Sequence, residues 1–174
     1  MTTSRTEPDE LTQASVTVAW VIIANKPFYP LYIWWLVGSG VAVSLWSLVA
    51  VPFFLLVPWL ARRRPLAARV MLPVVGVVDT LFETGLFGES SGTLLFLAPC
   101  VMLAALSFHR SEAWWQRGVA ALVFGAFVVA YGRMRVGVYE WSAGEIETLF
   151  SLNAFAVASL MGFVAVRYAG VERR

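Results

Sequence analysis

The chain has 174 residues, of which 59% are hydrophobic and 14% are charged, and its formal net charge is +2. Its mean hydropathy of +0.73 leaves too little polar surface to cover a soluble core, which excludes an ordinary soluble domain. The single cysteine, Cys100, and the single histidine, His109, exclude an intramolecular disulfide, bis-histidine haem ligation and the HExxH zinc site. We therefore expect no cofactor, and a charge so close to neutral gives no indication of a nucleic-acid partner.

Six apolar runs follow one another along the chain, and a membrane-spanning helix needs about 20 such residues. The first run, residues 14–24, reaches that length only with help from Leu11 before it and Phe28 after it. An interfacial or re-entrant segment is therefore its alternative interpretation. The second run is the longest, and its glycines and serines permit close helix packing. The second to sixth runs cover residues 31–60, 66–86, 93–108, 113–131 and 146–166.

These runs predict an all-α, polytopic membrane protein with six transmembrane helices. Lysine and arginine indicate its orientation, because cytoplasmic loops carry an excess of both. Ten of the 13 fall in the two ends and the even-numbered connections, whereas Lys26, Arg133 and Arg135 fall on the opposite side. Both ends are therefore predicted to be cytoplasmic, in agreement with an even number of spans. The predicted organisation is a cytoplasmic tail at 1–12, a six-helix transmembrane domain at 13–168 and a cytoplasmic end at 169–174.

Two carboxylates lie within the third predicted helix. Asp79 is about 20 Å along that helix, at 1.5 Å per residue, which places it in the outer leaflet. Glu83 follows at i+4, on the same helix face and close to the outer surface. Ionisable groups inside a membrane are costly, so Asp79 and Glu83 are candidates for a functional site.

Three interpretations of this carboxylate pair stay open. In the first, Arg133 or Arg135 neutralises the carboxylates at the end of the fifth helix, and Asn153 of the sixth helix joins them. In the second, the pair acts with Glu89 to bind a cation or a cationic ligand at the outer face. In the third, the pair relays protons, as in a transporter. The residues indicate no particular metal.

We expect no enzymatic activity from this chain. Ser91 and Thr93 lie near Glu89 in sequence, but His109 is predicted at the opposite membrane face. A nucleophile and its base would need to lie at one level, within hydrogen-bond reach. The sequence also lacks a phosphate-binding glycine loop and a CxxC motif.

Residues 87–112 carry the most distinctive pattern of the sequence. They contain a Gly-Glu-x-Ser-Gly turn at 88–92, an apolar helix with Pro-Cys at 99–100, and a basic exit at Arg110. Earlier, residues 26–32 form a Pro/Tyr-rich first outer turn, and a run of arginines precedes the third helix. This pattern resembles the six-helix membrane domain of bacterial class III adenylate cyclases. That domain is related to the membrane domain of histidine-kinase receptors for lipophilic autoinducers.

The resemblance implies a sensory module of the bacterial inner membrane, organised as a homodimer, whose last helix drives a cytoplasmic effector. The chain ends at Arg174 and lacks the metal-binding aspartates of a cyclase, so we expect either an isolated membrane module or an effector that is a separate polypeptide. The expected partners are the lipid bilayer, a second copy, that effector, and an unknown small lipophile or cation. The alternative functions are a small ion-coupled transporter and a structural subunit of a membrane complex.

Overall fold

The computed structural model describes residues 9–171, and every regular element within that range is a helix. The prediction of an all-α fold is therefore confirmed for this part of the chain. Most of the predicted cytoplasmic tail and the last three residues of the predicted cytoplasmic end lie outside the described residues. The helices are α1 (Glu10–Asn25), α2 (Phe28–Val37), α3 (Val41–Ala61), α4 (Pro65–Phe87), α5 (Thr93–Leu106), α6 (Arg110–Ala130) and α7 (Ala143–Tyr168).

Four of these helices, α3, α4, α6 and α7, are long and apolar enough to cross a membrane. Large apolar side chains point outward around the bundle, and Phe124 and Phe155 are 69% and 74% exposed. Exposed apolar surface of this extent is typical of faces that contact lipid. The chain is thus a membrane protein with transmembrane helices. Helix α1 has only 16 residues and α5 is also short, so the first and fourth predicted spans are less than a full crossing in length.

Helix α1 begins earlier than the sequence suggested. Asp9 caps it, because its carboxylate accepts hydrogen bonds from the Thr12 backbone nitrogen at 2.8 Å and from Thr12 Oγ1 at 2.9 Å. Leu11 is 1% exposed and packs in the core of the bundle. The first turn of α1 therefore lies within the predicted tail at 1–12.

The longest predicted run, residues 31–60, is two helices and not one. The chain breaks between α2 and α3 at Gly38 and Gly40, whose φ angles of +85° and +65° are readily adopted by glycine alone. Gly40 also packs directly beneath the ring of Trp141, which a Cβ atom at this position would overlap. These glycines therefore form a turn between two helices, in addition to the close packing that the sequence indicated.

Helix α4 lies at the centre of the bundle. In its most apolar stretch 44% of the residues are buried, against 22% in α6 and in α7. One apolar cluster packs α1, α3 and α7 against α4 and includes Val18, Phe54 and Leu72. A second cluster packs α5 and α6 against α4 and includes Val77 and Val123. The two carboxylates predicted in this helix are consequently placed in the most enclosed part of the fold.

A buried polar network closes the end of the bundle where α7 finishes. The Tyr168 hydroxyl lies 2.8 Å from Ser15 Oγ of α1 and 2.8 Å from Ser107 Oγ, just beyond α5. We refer to these three side chains as the Tyr168 clasp. Beside it, the buried Arg69 of α4 forms an ion pair with Glu112 at 2.7 Å. The last turn of α7 is therefore held to its neighbours by polar contacts, which are strong in a low-dielectric interior.

Candidate functional site

A buried ion triad occupies the far end of the bundle from the Tyr168 clasp. Lys26 follows α1 directly, and its Nζ lies 2.6 Å from Asp79 Oδ2 and 2.7 Å from Glu83 Oε1. The side chains of the three residues are only 9%, 11% and 10% exposed. Both carboxylates reach one ammonium because they lie one turn apart on the same face of α4. We call these three residues the Lys26 triad.

The ion pair predicted with Arg133 or Arg135 is replaced in the structure by this triad. Helix α6 ends at Ala130, so both arginines lie beyond its last turn. Arg133 folds back and donates to the carbonyl oxygens of Val128 and Val129 at 2.8 and 3.2 Å, which satisfies the free end of its own helix. The prediction that an arginine neutralises the carboxylates is therefore wrong in its partner, although the carboxylates are indeed paired with a cation.

Asn153 is fully buried in α7 and lies beside the Tyr29 hydroxyl. Its amide nitrogen donates to the Ser91 carbonyl oxygen at 2.8 Å, which joins α7 to the short 3₁₀ turn at Glu89–Ser91. Asn153 Oδ1 and the Tyr29 hydroxyl are both buried, and neither has a hydrogen-bond partner among residues 9–171. The two groups lie side by side, and the Tyr29 hydroxyl is of the type that can donate to an amide oxygen.

Hydroxyl groups extend the polar region along α4. Thr84 Oγ1 donates to the Thr80 carbonyl oxygen at 2.7 Å and accepts a hydrogen bond from Thr93 Oγ1 at 3.1 Å. Thr93 Oγ1 in turn lies 3.2 Å from Ser91 Oγ. These bonds fix the turn after α4 against the helix, so the backbone near the Lys26 triad is held in one position.

Glu89 is placed apart from the other predicted site residues. Its carboxylate accepts a hydrogen bond from the Gly132 nitrogen at 2.8 Å, and its own nitrogen donates to the Met134 carbonyl oxygen at 2.9 Å. With Arg135, it lines a separate surface depression. Within residues 9–171, no three His, Cys, Asp or Glu side chains are grouped in a way that would hold a metal ion. Glu89 thus connects two loops and does not join Asp79 and Glu83.

A cavity of about 560 Å³ opens beside the Lys26 triad, between helices α1, α2, α3, α4, α5 and α7. Its walls are mostly apolar side chains, with the triad and Tyr29 as a polar group among them. The volume lies within the range of ligand sites, which combine apolar walls with a few convergent polar groups. The apolar lining includes Ile22, Phe54, Leu72, Leu103, Leu152, Phe155, Leu160 and Phe163.

Sequence reasoning found the carboxylates but missed Lys26 and Tyr29 as parts of the site. Lys26 was interpreted as a topology signal, and Tyr29 as a residue of the first outer turn. The available signal was that each of the two residues precedes a proline, within a stretch rich in aromatic residues. No protein-family model, curated protein or solved structure matches this chain.

Proposed function

We propose that this protein is a non-enzymatic sensory or regulatory module of the bacterial inner membrane, which binds a small lipophile or cation near the outer face. The observation that carries this proposal is the cavity of about 560 Å³, with apolar walls and the Lys26 triad on one side. In the triad the Lys26 ammonium is bonded to two carboxylates, so it is not a free amine that could act as a nucleophile. Binding and orientation of a ligand are what its geometry supports.

The proposed topology has six membrane segments and both ends in the cytoplasm. In this topology α1 and α5 are short segments completed by their flanking turns, and α2 covers the outer end of α3. The arginines at the proposed inner face support it, because Arg63 lies 4.8 Å from the ring of Trp59 and Arg117 lies 5.5 Å from that of Trp114. Tryptophan and arginine side by side are typical of a cytoplasmic membrane interface.

Cysteine accessibility tests this topology. Single cysteines would be placed in a Cys100→Ser background and labelled in intact cells with a membrane-impermeant maleimide. We expect labelling at Ser90 and Arg133 and protection at Arg64, since the first two lie on the proposed outer side. Protection of a cysteine at Glu10 would support a crossing by α1, whereas its labelling would contradict six segments and favour the re-entrant alternative.

The proposed output is a shift of α7 relative to its neighbours. Leu152 and Phe163 of α7 line the cavity, and the same helix ends in the Tyr168 clasp. A ligand that changes the packing around the cavity would therefore act on the helix that runs toward the cytoplasmic effector. The effector and the homodimeric partner are expectations from the resemblance to cyclase membrane domains.

A small ion-coupled transporter is the second candidate, and the buried Lys26 triad favours it. Buried carboxylates and lysines are common in proton and ion pathways. Such a transporter would give ion or proton flux in liposomes, and the flux would disappear in Asp79→Asn. A sensor would give no flux, and a structural subunit would give neither flux nor ligand binding but would be needed for the stability of its complex.

The experiment for the sensory proposal is thermal unfolding of the purified protein against divalent cations and a panel of small lipophiles. A ligand at 100 times its Kd stabilises the folded state by about 2.7 kcal/mol. We expect a stabilising lipophile whose effect is lost in the Asp79→Asn/Glu83→Gln double variant and kept in Glu147→Gln. Glu147 is an exposed carboxylate on α7 and serves as the matched control. Absence of any stabilisation in the wild type would refute ligand binding at this site.

A further inference from the structure

The charges of the ionisable side chains that line the cavity do not sum to zero. Lys26 contributes one positive charge, while Asp79 and Glu83 contribute two negative charges, so the ionised triad has a net charge of −1. The remaining side chains of the lining are uncharged. A net charge in apolar surroundings is costly unless it is compensated. A ligand group with one positive charge, placed beside the triad, would remove that cost.

The hydrogen-bonding groups of the triad also favour an ammonium group as the ligand head, independently of the net charge. The Lys26 ammonium engages both oxygens of Asp79 and Oε1 of Glu83. Of the four carboxylate oxygens, Lys26 therefore leaves Glu83 Oε2 unengaged. Tyr29 also lines the cavity, and its hydroxyl has no direct hydrogen-bond partner within residues 9–171. A carboxylate oxygen accepts hydrogen bonds and a hydroxyl can accept or donate, so this side of the cavity accommodates a donor with several N–H groups.

The apolar walls set the shape of the rest of the ligand. Along α4 the lining runs from Leu72 to Glu83, which is about 16 Å at 1.5 Å per residue. Along α7 it runs from Leu152 to Phe163, over the same length. The triad lies at one end of this distance, and the side chains along the rest of it are mostly apolar, with Ser159 as an exception. This arrangement suits a ligand with a charged head and a hydrocarbon tail.

We propose that the cavity selects a cationic amphiphile, a long-chain primary amine, over neutral and anionic amphiphiles of equal length. This inference rests on the proposed ligand site and names the chemical class of its ligand. A free divalent metal ion fits less well, because it would need about six oxygen ligands and the two carboxylates already share Lys26. An ammonium head needs only the open acceptors beside the triad.

The test compares dodecylamine, dodecanol and dodecanoate with the protein in lipid nanodiscs, at equal concentrations in the bilayer. Affinities come from the ligand dependence of the thermal unfolding midpoint. We expect dodecylamine to bind at least tenfold more tightly than dodecanol, and dodecanoate to bind most weakly. In Asp79→Asn and in Glu83→Gln the triad becomes neutral, so the preference for the amine should disappear, while Glu147→Gln should keep it.

A cavity-filling variant separates specific binding from general effects of the amphiphiles on the bilayer. Ala156 lines the cavity, and Ala156→Phe should abolish binding of the amine while the triad stays intact. Persistence of the amine effect in Ala156→Phe would overturn the proposal, because binding would then lie elsewhere.

The remaining outcomes are equally decisive. Equal binding of amine and alcohol by the wild type would overturn the charge selection, since the triad would then already be neutral, but the ligand cavity would stand. Tightest binding of dodecanoate would overturn it in the same way. If none of the three amphiphiles binds, both this inference and the lipophile site fall.

Discussion

Lys26→Met removes the ammonium from the buried triad and keeps a long, flexible side chain. Asp79 and Glu83 would then lie one helical turn apart in a site where their side chains are 11% and 10% exposed. Removal of one partner of a buried ion pair costs about 3–5 kcal/mol. In a domain of this size, each kcal/mol lowers the unfolding midpoint by about 2–4 °C. We therefore expect Lys26→Met to lower the midpoint by about 6–20 °C.

Thermal unfolding in detergent, followed by tryptophan fluorescence, measures this change. Arg135→Met is the matched control, because Arg135 is exposed and a surface charge changes stability by only about 0.5 kcal/mol. Addition of Asp79→Asn and Glu83→Gln to Lys26→Met removes the buried negative charges and should restore most of the loss. Nearly unchanged stability of Lys26→Met, together with a large loss in Arg135→Met, would refute the triad and restore the pairing with arginine.

Two further predictions concern stability and use the same assay. Tyr168→Phe should lower the free energy of unfolding by about 1–3 kcal/mol, because two buried serine hydroxyls lose their partner; the exposed Tyr131→Phe should change it by less than about 0.5 kcal/mol. A Tyr168→Phe variant as stable as wild type would mean that the clasp makes no net contribution. Gly40→Ala should destabilise by more than about 1 kcal/mol, because φ is +65° and the new methyl group would overlap Trp141. Gly162→Ala, in an open helical position, should stabilise by about 0.5–1 kcal/mol. A Gly40→Ala variant as stable as wild type would contradict the turn assignment.

Local features of the fold followed from the sequence. Asp79 and Glu83 share one face of α4 because helical spacing alone determines this, and long apolar runs identified four helices that can cross a membrane. The break at Gly38 and Gly40 was missed because apolar residues continue on both sides and hydropathy does not register a change in φ. A Gly-Ser-Gly turn signal was nevertheless present within that run.

The partner of the carboxylates was beyond prediction from sequence alone. Lys26 is separated from Asp79 by 53 positions, and the contact depends on how α1 packs against α4. Predicted depth in the membrane favoured Arg133 and Arg135 as partners as much as Lys26, since all three residues are predicted on the outer side. The cavity depends on even more of the fold, because six helices form its walls. Such features depend on the angles at which the helices pack against one another, and the sequence of a single helix does not determine those angles.

Lys26 is the only lysine in the chain. Protein produced with ¹⁵N-labelled lysine would therefore carry the isotope at one residue, inside the triad. Its ammonium resonance needs no assignment, and its chemical shift and exchange with solvent report directly on the charges beside it. A membrane protein of this kind thus contains its own single-site spectroscopic probe, placed by the fold at the position where ligand or proton binding would be detected.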